Sequence, residues 1–456
     1  MTDRFAIILA AGKGTRMKSP RPKVLHEVGG RSMLAWSVAL ARHLGCRQII
    51  IVVGPDMPAL SEAAGRLVGA GNVVIQREQL GTANAVAAAR EALAGAEGHA
   101  IVLYADTPLV PPEAGLRAFG ALETGAGVCV LGFRAQLPNR YGRLVTTGEG
   151  ALEAIVEAND ASQEQLAIEL ANSGVMAAPV RLMFDLLGEV RNDNAKGEYY
   201  LTDLVALARR RGLPAAVAHC EESDVLGVNS QAELAVVEGI FQARMREAAM
   251  AAGVSLVAPH TVFFSHDTRI APGVTVEPNV VFAPGVTIAE GAVIRAFSHL
   301  SGARVGEQAE VGPYARLRPG AVIGRQAHIG NFVEVKNVEV GAGAKANHLS
   351  YLGDGQIGAG ANIGAGTIFC NYDGFFKYRT VIGEGAFIGS NSALVAPVSV
   401  GAGAYVGSGS VIVSDVPADA LGLARGRQAN KEGWAQAFRA ARSKARAAGA
   451  KPDGAV

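Results

Sequence analysis

The sequence predicts an α/β domain with a mostly parallel sheet, followed by a prism of stacked six-residue units. Two patterns carry this. Over 5–133, continuous apolar runs of strand length alternate with segments of helical spacing; from about 270 to 417, an aliphatic residue returns every sixth position, with a small residue usually just behind it. A six-residue step turns an α-helix by about 600°, so successive aliphatics would stand about 240° apart and leave no stripe to bury. Read as a short strand plus a corner, each unit instead turns the same residue inward, and the units stack around a continuous apolar core. The Gly-rich and Ala-rich remainder suits tight corners, where Gly accepts positive φ at little cost.

The first half justifies its class in order. Strands are expected at 5–10, 48–54, 72–76, 99–106 and 127–133, with helices between them at 33–44, 59–67, 83–93 and 112–122. Alternation of this kind gives a mostly parallel sheet covered on both faces, with ligands at the carboxyl ends of its strands. The loop after the first strand falls there. Gly12 and Gly14 let backbone N–H groups approach phosphate oxygens, and Lys13, Arg16 and Lys23 add charge. The spacing is not that of a P-loop and lacks the third Gly of a dinucleotide fingerprint. A plain tight turn is the competing reading. Asp106, ending the strand IVLYAD, is placed to hold Mg²⁺ or to cap the helix beginning near Pro111. Asn229 in VLGVNS offers a neutral oxygen from a second loop.

Between the halves, Leu234, Val237, Ile240, Phe241 and Met245 give 230–252 a helical spacing. Arg209, Arg210 and Arg211, just before, read as a solvated helix end facing the last carbonyls. The expected division is 1–229, a helical linker 230–252, a repeat domain 253–430 and a tail 431–456, whose start reads as a short basic helix closing the end of the prism. The array runs Ile270, Val276, Phe282, Ile288, Ile294, Leu300, then Val305, Val311, Leu317, Ile323, Ile329, Val335, then Val340, Leu352, Ile357, Ile363 and finally Ile382, Ile388, Leu394, Val400, Val406, Ile412. Its step slips between Leu300 and Val305, Val335 and Val340, and Leu352 and Ile357, and a longer excursion runs from Phe369 to Val381. A regular stack gains no core by ejecting aromatic and cationic side chains, so the excursion is a candidate for reaching another molecule. Polar residues gather around these breaks: Arg318, Glu334, Lys336, Lys345, His348, Tyr351, Asn362, Asn371, Tyr372, Lys377 and Ser390. His348 is either a surface residue or a proton acceptor, with Glu334, Arg318 and Lys336 on neighbouring coils.

Composition bounds the alternatives. With 456 residues, 49% hydrophobic and 18% charged, the chain has room for two or three folded domains. Lys plus Arg (42) balance Asp plus Glu (41), so no nucleic-acid footprint is visible. Apolar runs are too short to span a bilayer and no cleavable leader is expected. Cys46, Cys129, Cys220 and Cys370 form no metal-ligand pairs; they read as small apolar filler in a reducing cytoplasm.

LAAGKGTRM and PKVL, then EQLGTA, YADTPL, YGR, NSGV, GEYYLTD and GVNS, resemble in order the nucleotidyltransferase half of the bacterial bifunctional GlmU family. GNFVEVK, NHLSYLGD, NIGAGT, CNYDG and ARGRQ match its acetyltransferase half, and the similarity reaches about residue 435. The resemblance implies an α/β Rossmann-like nucleotidyltransferase domain followed by a left-handed parallel β-helix of hexapeptide repeats that forms a homotrimer. It implies acetyl transfer from acetyl-CoA to glucosamine-1-phosphate, then uridylyl transfer from UTP to N-acetylglucosamine-1-phosphate with Mg²⁺, giving a precursor of peptidoglycan and lipopolysaccharide. On matching positions, Leu9, Ala10, Ala11, Gly12, Ala105 and Lys23 would hold the nucleotide, with Arg16 near the leaving pyrophosphate and Arg16 and Lys23 assisting catalysis. Gln76, Gly81 and Thr82 would read uracil, and Tyr104 falls in the strand-end motif with Asp106. Gly142, Glu157 and Asn172 would contact the sugar phosphate, and Asp106 and Asn229 the metal. In the second half, His348 would be the general base and Glu334 would orient it. Arg318, Lys336, Tyr351 and Asn362 would hold the sugar phosphate, with Lys377 reaching a neighbouring subunit's site. Ala365, Asn371, Tyr372, Ser390, Ser408 and Arg425 would line the acetyl-CoA groove between adjacent subunits.

The chain also departs from the family pattern. Ala105 stands where Gly is usual, adding a Cβ where backbone meets nucleotide; Ala83 and Asn84 replace a small residue followed by His. Asn347 stands where Gly is common and bears on the approach to His348. Phe376, where a smaller or polar residue is common, reads as packing, and His260, where an acidic residue is usual, as structural. Two rivals stay open: a sugar-1-phosphate nucleotidyltransferase whose β-helix serves only oligomerisation, and a non-catalytic sugar-nucleotide sensor on a scaffold. His348, Glu334 and the excursion argue against a bare scaffold, and Asp106 with Lys23 against a sensor.

Overall fold

The computed structural model describes residues 2–147 and 151–448; the last residues of the expected tail, 449–456, lie outside them. The chain divides into two compact units, Met1–Thr287 and Ile288–Val456.

The first unit is built on a sheet of β1 (Arg4–Leu9), β2 (Gln48–Val53), β3 (Val73–Ile75), β4 (His99–Tyr104), β5 (Val128–Arg134), β6 (Arg143–Thr146), β7 (Leu152–Val156), β8 (Leu170–Pro179) and β9 (Ala215–His219). The strand order is β9-β5-β8-β4-β1-β2-β3. Neighbours run parallel except that β8 is antiparallel to both β4 and β5. The sheet is therefore mixed, and the β6–β7 hairpin hangs on β8. Both faces are buried, as continuous apolar strands require: Ile8, Ile51 and Leu103 belong to one core layer, and Ile7, Ile50 and Val102 to the other. Helices α1 (Met33–His43), α2 (Pro58–Val68), α3 (Thr82–Ala87) and α4 (Pro112–Glu123) fall between the strands. The helix expected over 83–93 is shorter. After Ala87 the amides of Ala89 and Arg90 bond three residues back, to Val86 and Ala87, which tightens the coil into a turn, and Glu91–Leu93 forms a separate 3₁₀ turn.

The expected connecting helix is α5 (Gln231–Ala251), with the Ser230 hydroxyl accepting the Glu233 amide at its start. Its Phe241 meets Trp36 edge-to-face at 5.7 Å, and its buried Gln242 bonds the backbone of Phe264 in both directions. The first coils, from Ser255–Leu256 to Val281–Phe282, belong to this unit. Burial pushes the thiols of Cys46 and Cys220 up to about 12 and that of Cys129 up to about 11, as befits inert filler.

The second unit is a left-handed parallel β-helix. Each coil turns two residues inward: the periodic aliphatic and the residue two places before it, such as Ala292 with Ile294, Ala321 with Ile323 and Ser392 with Leu394, all at most 1% exposed. Two further inward positions, Ala346 and Phe369, each 1% exposed, complete the series across its gaps. At two of the slips, the strands Glu334–Val340 and Tyr351–Ile357 pass through a corner without a break, so five residues serve where six are usual. The excursion leaves the column after Ile368–Cys370 and returns at Thr380–Ile382. The tail helix α6 (Trp434–Ala447) forms, but no residue in it is buried. It does not close the prism as expected, because its Trp434 and Phe438 stack on each other at 5.0 Å and not on the column.

Candidate functional site

In the first unit, the ends of β1 and β4 lie side by side because these strands pair in register to Leu9 and Tyr104. The loops that follow open a cavity of about 330 Å³ lined by Leu9, Ala10, Ala11, Gly12, Lys13, Lys23, Gln76, Gly81, Thr82, Tyr104 and Asp106 among others. Most of the expected nucleotide residues thus converge. Asp106 caps nothing: α4 has no side-chain cap. Its carboxylate meets the Lys23 ammonium, Nζ to Oδ2 at 2.5 Å, and its backbone carbonyl accepts the Val228 amide, which draws the GVNS loop inward. Asn229 Oδ1 therefore also lies 3.1 Å from Lys23 Nζ. One carboxylate and one neutral oxygen converge on a single cation beside an open cavity. That donor set fits Mg²⁺, which keeps several waters and takes one or two protein oxygens plus substrate phosphates. Among the described residues no cluster of three or more His, Cys, Asp or Glu is present.

The turn reading LGTA is fixed by the GEYYLTD segment. Gly81 has φ 117°, and a Cβ there would stand 2.5 Å from the Tyr199 carbonyl oxygen, so only Gly allows this approach. The Tyr199 amide donates to the Leu80 carbonyl and the Leu201 amide to the Thr82 hydroxyl. Buried Gln76 donates from Nε2 to the Gly81 carbonyl at 3.1 Å and to Asn84 Oδ1 at 2.8 Å. Gly142, Glu157 and Asn172 meet close by: the Asn172 amide donates to the Gly142 carbonyl, and a Cβ on Gly142 would lie 3.5 Å from Glu157 Oε1. Burial holds the Glu157 carboxyl above the usual range, against the pull of Lys196 and a Thr202 hydrogen bond. Burial also raises the Tyr104 phenol, reinforced by Asp106 and Glu157. Arg16 stands exposed on its loop and is not part of the cavity wall. Gln79, whose Nε2 donates to the Ala11 carbonyl, and Glu198 line the cavity without having been singled out, although EQLGTA and GEYYLTD contain them.

In the second unit the coils bring another group together. Arg316, Glu334, Tyr351 and Ile368 stack in register up one face. Arg318 Nη1 meets Glu334 Oε1 at 2.8 Å and Arg316 Nη1 meets Oε2 at 3.7 Å. The imidazole of His348 is held instead by Asn331, Nδ1 to Oδ1 at 2.8 Å. The orienting carboxylate expected at Glu334 is thus taken up by two guanidinium groups, and a neutral amide stands against the ring. Asp354, 8% exposed, accepts from Asn337 at 2.7 Å and Asn371 at 2.6 Å, with Lys336 Nζ 3.9 Å away. Lys377 lies beside Lys336 of its own chain, and this neighbour, with partial burial, lowers the Lys336 pKa while Asp354 raises it. Neither Asn331 nor Asp354 was anticipated. Arg425 Nη1 donates to the Ser408 carbonyl at 2.8 Å, and the Asn391 amide to that of Ala365 at 2.7 Å, so the residues expected at acetyl-CoA lie on stacked coils with Ser390. Tyr372 is exposed and its hydroxyl donates to the Gly374 carbonyl.

The family described as MobA-like NTP transferase domain matches residues 6–175, and that described as bacterial transferase hexapeptide matches 267–302, 302–337 and 379–414. The bifunctional protein GlmU of Hyphomonas neptunium is 59% identical over 452 residues, 98% of this chain and 98% of its own. Those of Azorhizobium caulinodans and Caulobacter vibrioides are 56% and 57% identical, covering 97% and 96% of this chain and 99% and 95% of theirs. The chain belongs to the bifunctional GlmU family. It is accordingly a bifunctional transferase.

Against the GlmU pattern, the departures fall into place. Ala105 is fully buried in the core, and its side chain is not among those that line the cavity. Asn84 holds the Gln76 amide, and Ala83 is buried beside it. Phe376 is 68% exposed, so most of its ring lies outside any core of its own chain; its amide, with that of Phe375, binds Asp373 Oδ1 and shapes the loop. Asn347 stacks so closely on the coil below that a Cβ on Gly330 would stand 2.1 Å from its carbonyl oxygen. His260 lies exposed in the turn Pro259–Thr261.

Proposed function

We propose that the chain makes UDP-N-acetylglucosamine at two separate sites. The second unit transfers acetyl from acetyl-CoA to glucosamine-1-phosphate, and the first couples the product with UTP and releases pyrophosphate. In the acetyl-transfer site His348 takes the proton of the glucosamine amine as its nitrogen attacks the thioester carbonyl, and CoA leaves as the thiol. Arg318, Lys336, Tyr351 and Asn362 bind the sugar phosphate. Lys377, on the excursion beside Lys336 of its own chain, reaches toward a neighbouring subunit's site. Ala365, Asn371, Tyr372, Ser390, Ser408 and Arg425 bind acetyl-CoA, in a groove that a second subunit of a homotrimer completes.

In the uridylyl-transfer site a phosphate oxygen of N-acetylglucosamine-1-phosphate attacks the α-phosphorus of UTP, so no protein nucleophile is needed and positioning carries the rate. Leu9 to Gly12 and Lys23 hold the phosphates, Gln76, Gly81 and Thr82 the uracil, Tyr104 the strand-end edge of the cavity, and Gly142, Glu157 and Asn172 the sugar. Asp106 and Asn229 would hold Mg²⁺, which when bound neutralises charge on the phosphates. Arg16, exposed on the loop, is free to fold toward the leaving pyrophosphate. No helix among the described residues is long and apolar enough to cross a membrane, and with four free cysteines the reading places the enzyme in the cytoplasm.

The observation that carries this reading is the pairing of two unrelated constellations: Lys23 between Asp106 and Asn229 beside a cavity, and an imidazole with a dedicated partner on the column. A nucleotidyltransferase with an inert scaffold has no use for the second. The test is to follow CoA and pyrophosphate release on one purified protein. His348→Ala lowers CoA release by about 10²- to 10⁴-fold and leaves pyrophosphate release intact; Asp106→Ala lowers pyrophosphate release by about 10²- to 10³-fold and leaves CoA release intact. Loss of both activities in either variant, or of neither, sinks the assignment.

A further inference from the structure

The strands His328–Asn331 and Lys345–His348 stack in register, Asn331 directly against His348. The imidazole is otherwise exposed, and among the described residues no other hydrogen bond holds its ring. The charged groups on the strands stacked there are His328 and Lys345, while Glu334 on the next face is occupied by Arg318 and Arg316. A carbonyl oxygen accepts and does not donate, so the contact between Asn331 Oδ1 and Nδ1 requires the proton of the neutral ring to sit on Nδ1. The Nε2 lone pair is then left free.

We propose that Asn331 is the positioning residue of the acetyl-transfer site: its amide oxygen fixes the Nδ1–H tautomer and the ring orientation of His348, so that Nε2 is the atom that takes the amine proton. The inference rests on the reading of His348 as the base. A neutral amide does this without the carboxylate charge that would favour the imidazolium. When the amine adds to the thioester, its proton passes to Nε2, the resulting imidazolium keeps its Nδ1–H bond to Asn331, and thiolate departure from the tetrahedral adduct is balanced by return of that proton.

The test uses the full-length protein. Asn331→Ala is expected to lower kcat for CoA release by about 10- to 100-fold, part of what a general base supplies, with both KM values and pyrophosphate release unchanged. Asn331→Asp, of the same shape, is expected to retain turnover but move the acid limb of kcat/KM upward by about one unit, since an adjacent carboxylate favours the charged ring. Nitrogen-15 spectra of the wild type are expected to show His348 protonated on Nδ1 when neutral, and the alanine variant to lose that preference. An Nε2-protonated ring in the wild type, or an alanine variant with unchanged kcat, overturns the proposal. If His348→Ala is itself inactive while Asn331→Ala is not, the failure belongs to Asn331 alone; if His348→Ala keeps acetyl transfer, the reading of the base falls and the proposal with it.

Discussion

Asp354 is a carboxylate in the wall of the column, and its surroundings fix how it answers to pH. Burial works against its charge, but hydrogen bonds from Asn337 and Asn371 and the charges of Lys336 and Lys377 outweigh this and hold its pKa below the usual range. A carboxyl of this kind binds protons more weakly folded than unfolded. It therefore stabilises the fold above the ordinary aspartate value of about 4, and the contribution is lost as pH falls through the lower folded value. The urea midpoint of the wild type is accordingly expected to fall more steeply below about pH 4 than that of Asp354→Asn, and to exceed it at pH 7. Parallel curves for the two proteins would remove Asp354 from this role. Such a residue is hard to read in advance. Asn337 and Asp354 sit in left-handed corners, at φ 51° and 52°, where Asn and Asp are ordinary turn formers and give no sign of a network. Asp106 and His348 were legible because each stands out chemically against an apolar strand end or a repeat. Asn331 was not, since its meaning depends on which residue lies on the coil above.

The excursion between Cys370 and Thr380 is a built loop. Asn371 ties its start to Asp354, Tyr372 bridges to Lys377, and Asp373 accepts the amides of Phe375 and Phe376 and the Tyr378 hydroxyl. Phe375 is 86% exposed, so the loop adds nothing to the core of its own column. Replacing 372–378 by a short Gly corner is therefore expected to leave the melting temperature and pyrophosphate release near wild type, while raising KM at least about tenfold for acetyl-CoA through loss of Tyr372 and for glucosamine-1-phosphate through loss of Lys377. Circular dichroism and the two product assays check it; a collapse of the column would show instead that the loop is structural. The sixfold period made the column and the excursion legible because a repeat adds one weak signal many times over. The antiparallel β8 and its hairpin were missed, since Leu170–Pro179 mixes Asn, Ser and Gly into a strand that pairs from both sides. The end of α3 at Ala87 was missed because Ala-rich sequence continues the helical spacing while the backbone tightens.

Two constellations in two compact units imply that the product of one reaction must leave its site before the other can use it. His348 and Asp106 belong to different units and among the described residues share no hydrogen-bond or ion-pair partner, and effects at sites without shared partners are expected to be independent. Each single variant should then be blind to the other's lesion. In His348→Ala, added N-acetylglucosamine-1-phosphate and UTP should give UDP-N-acetylglucosamine at the wild-type rate; in Asp106→Ala, glucosamine-1-phosphate and acetyl-CoA should give N-acetylglucosamine-1-phosphate that accumulates. Mixing the two purified variants with glucosamine-1-phosphate, acetyl-CoA and UTP should restore the full synthesis, after a lag that shortens as protein concentration rises, because the acetylated sugar phosphate passes through solution. If the mixture stays inactive although each variant keeps its own half-reaction, the intermediate does not travel freely and the two sites hand it over within one molecule.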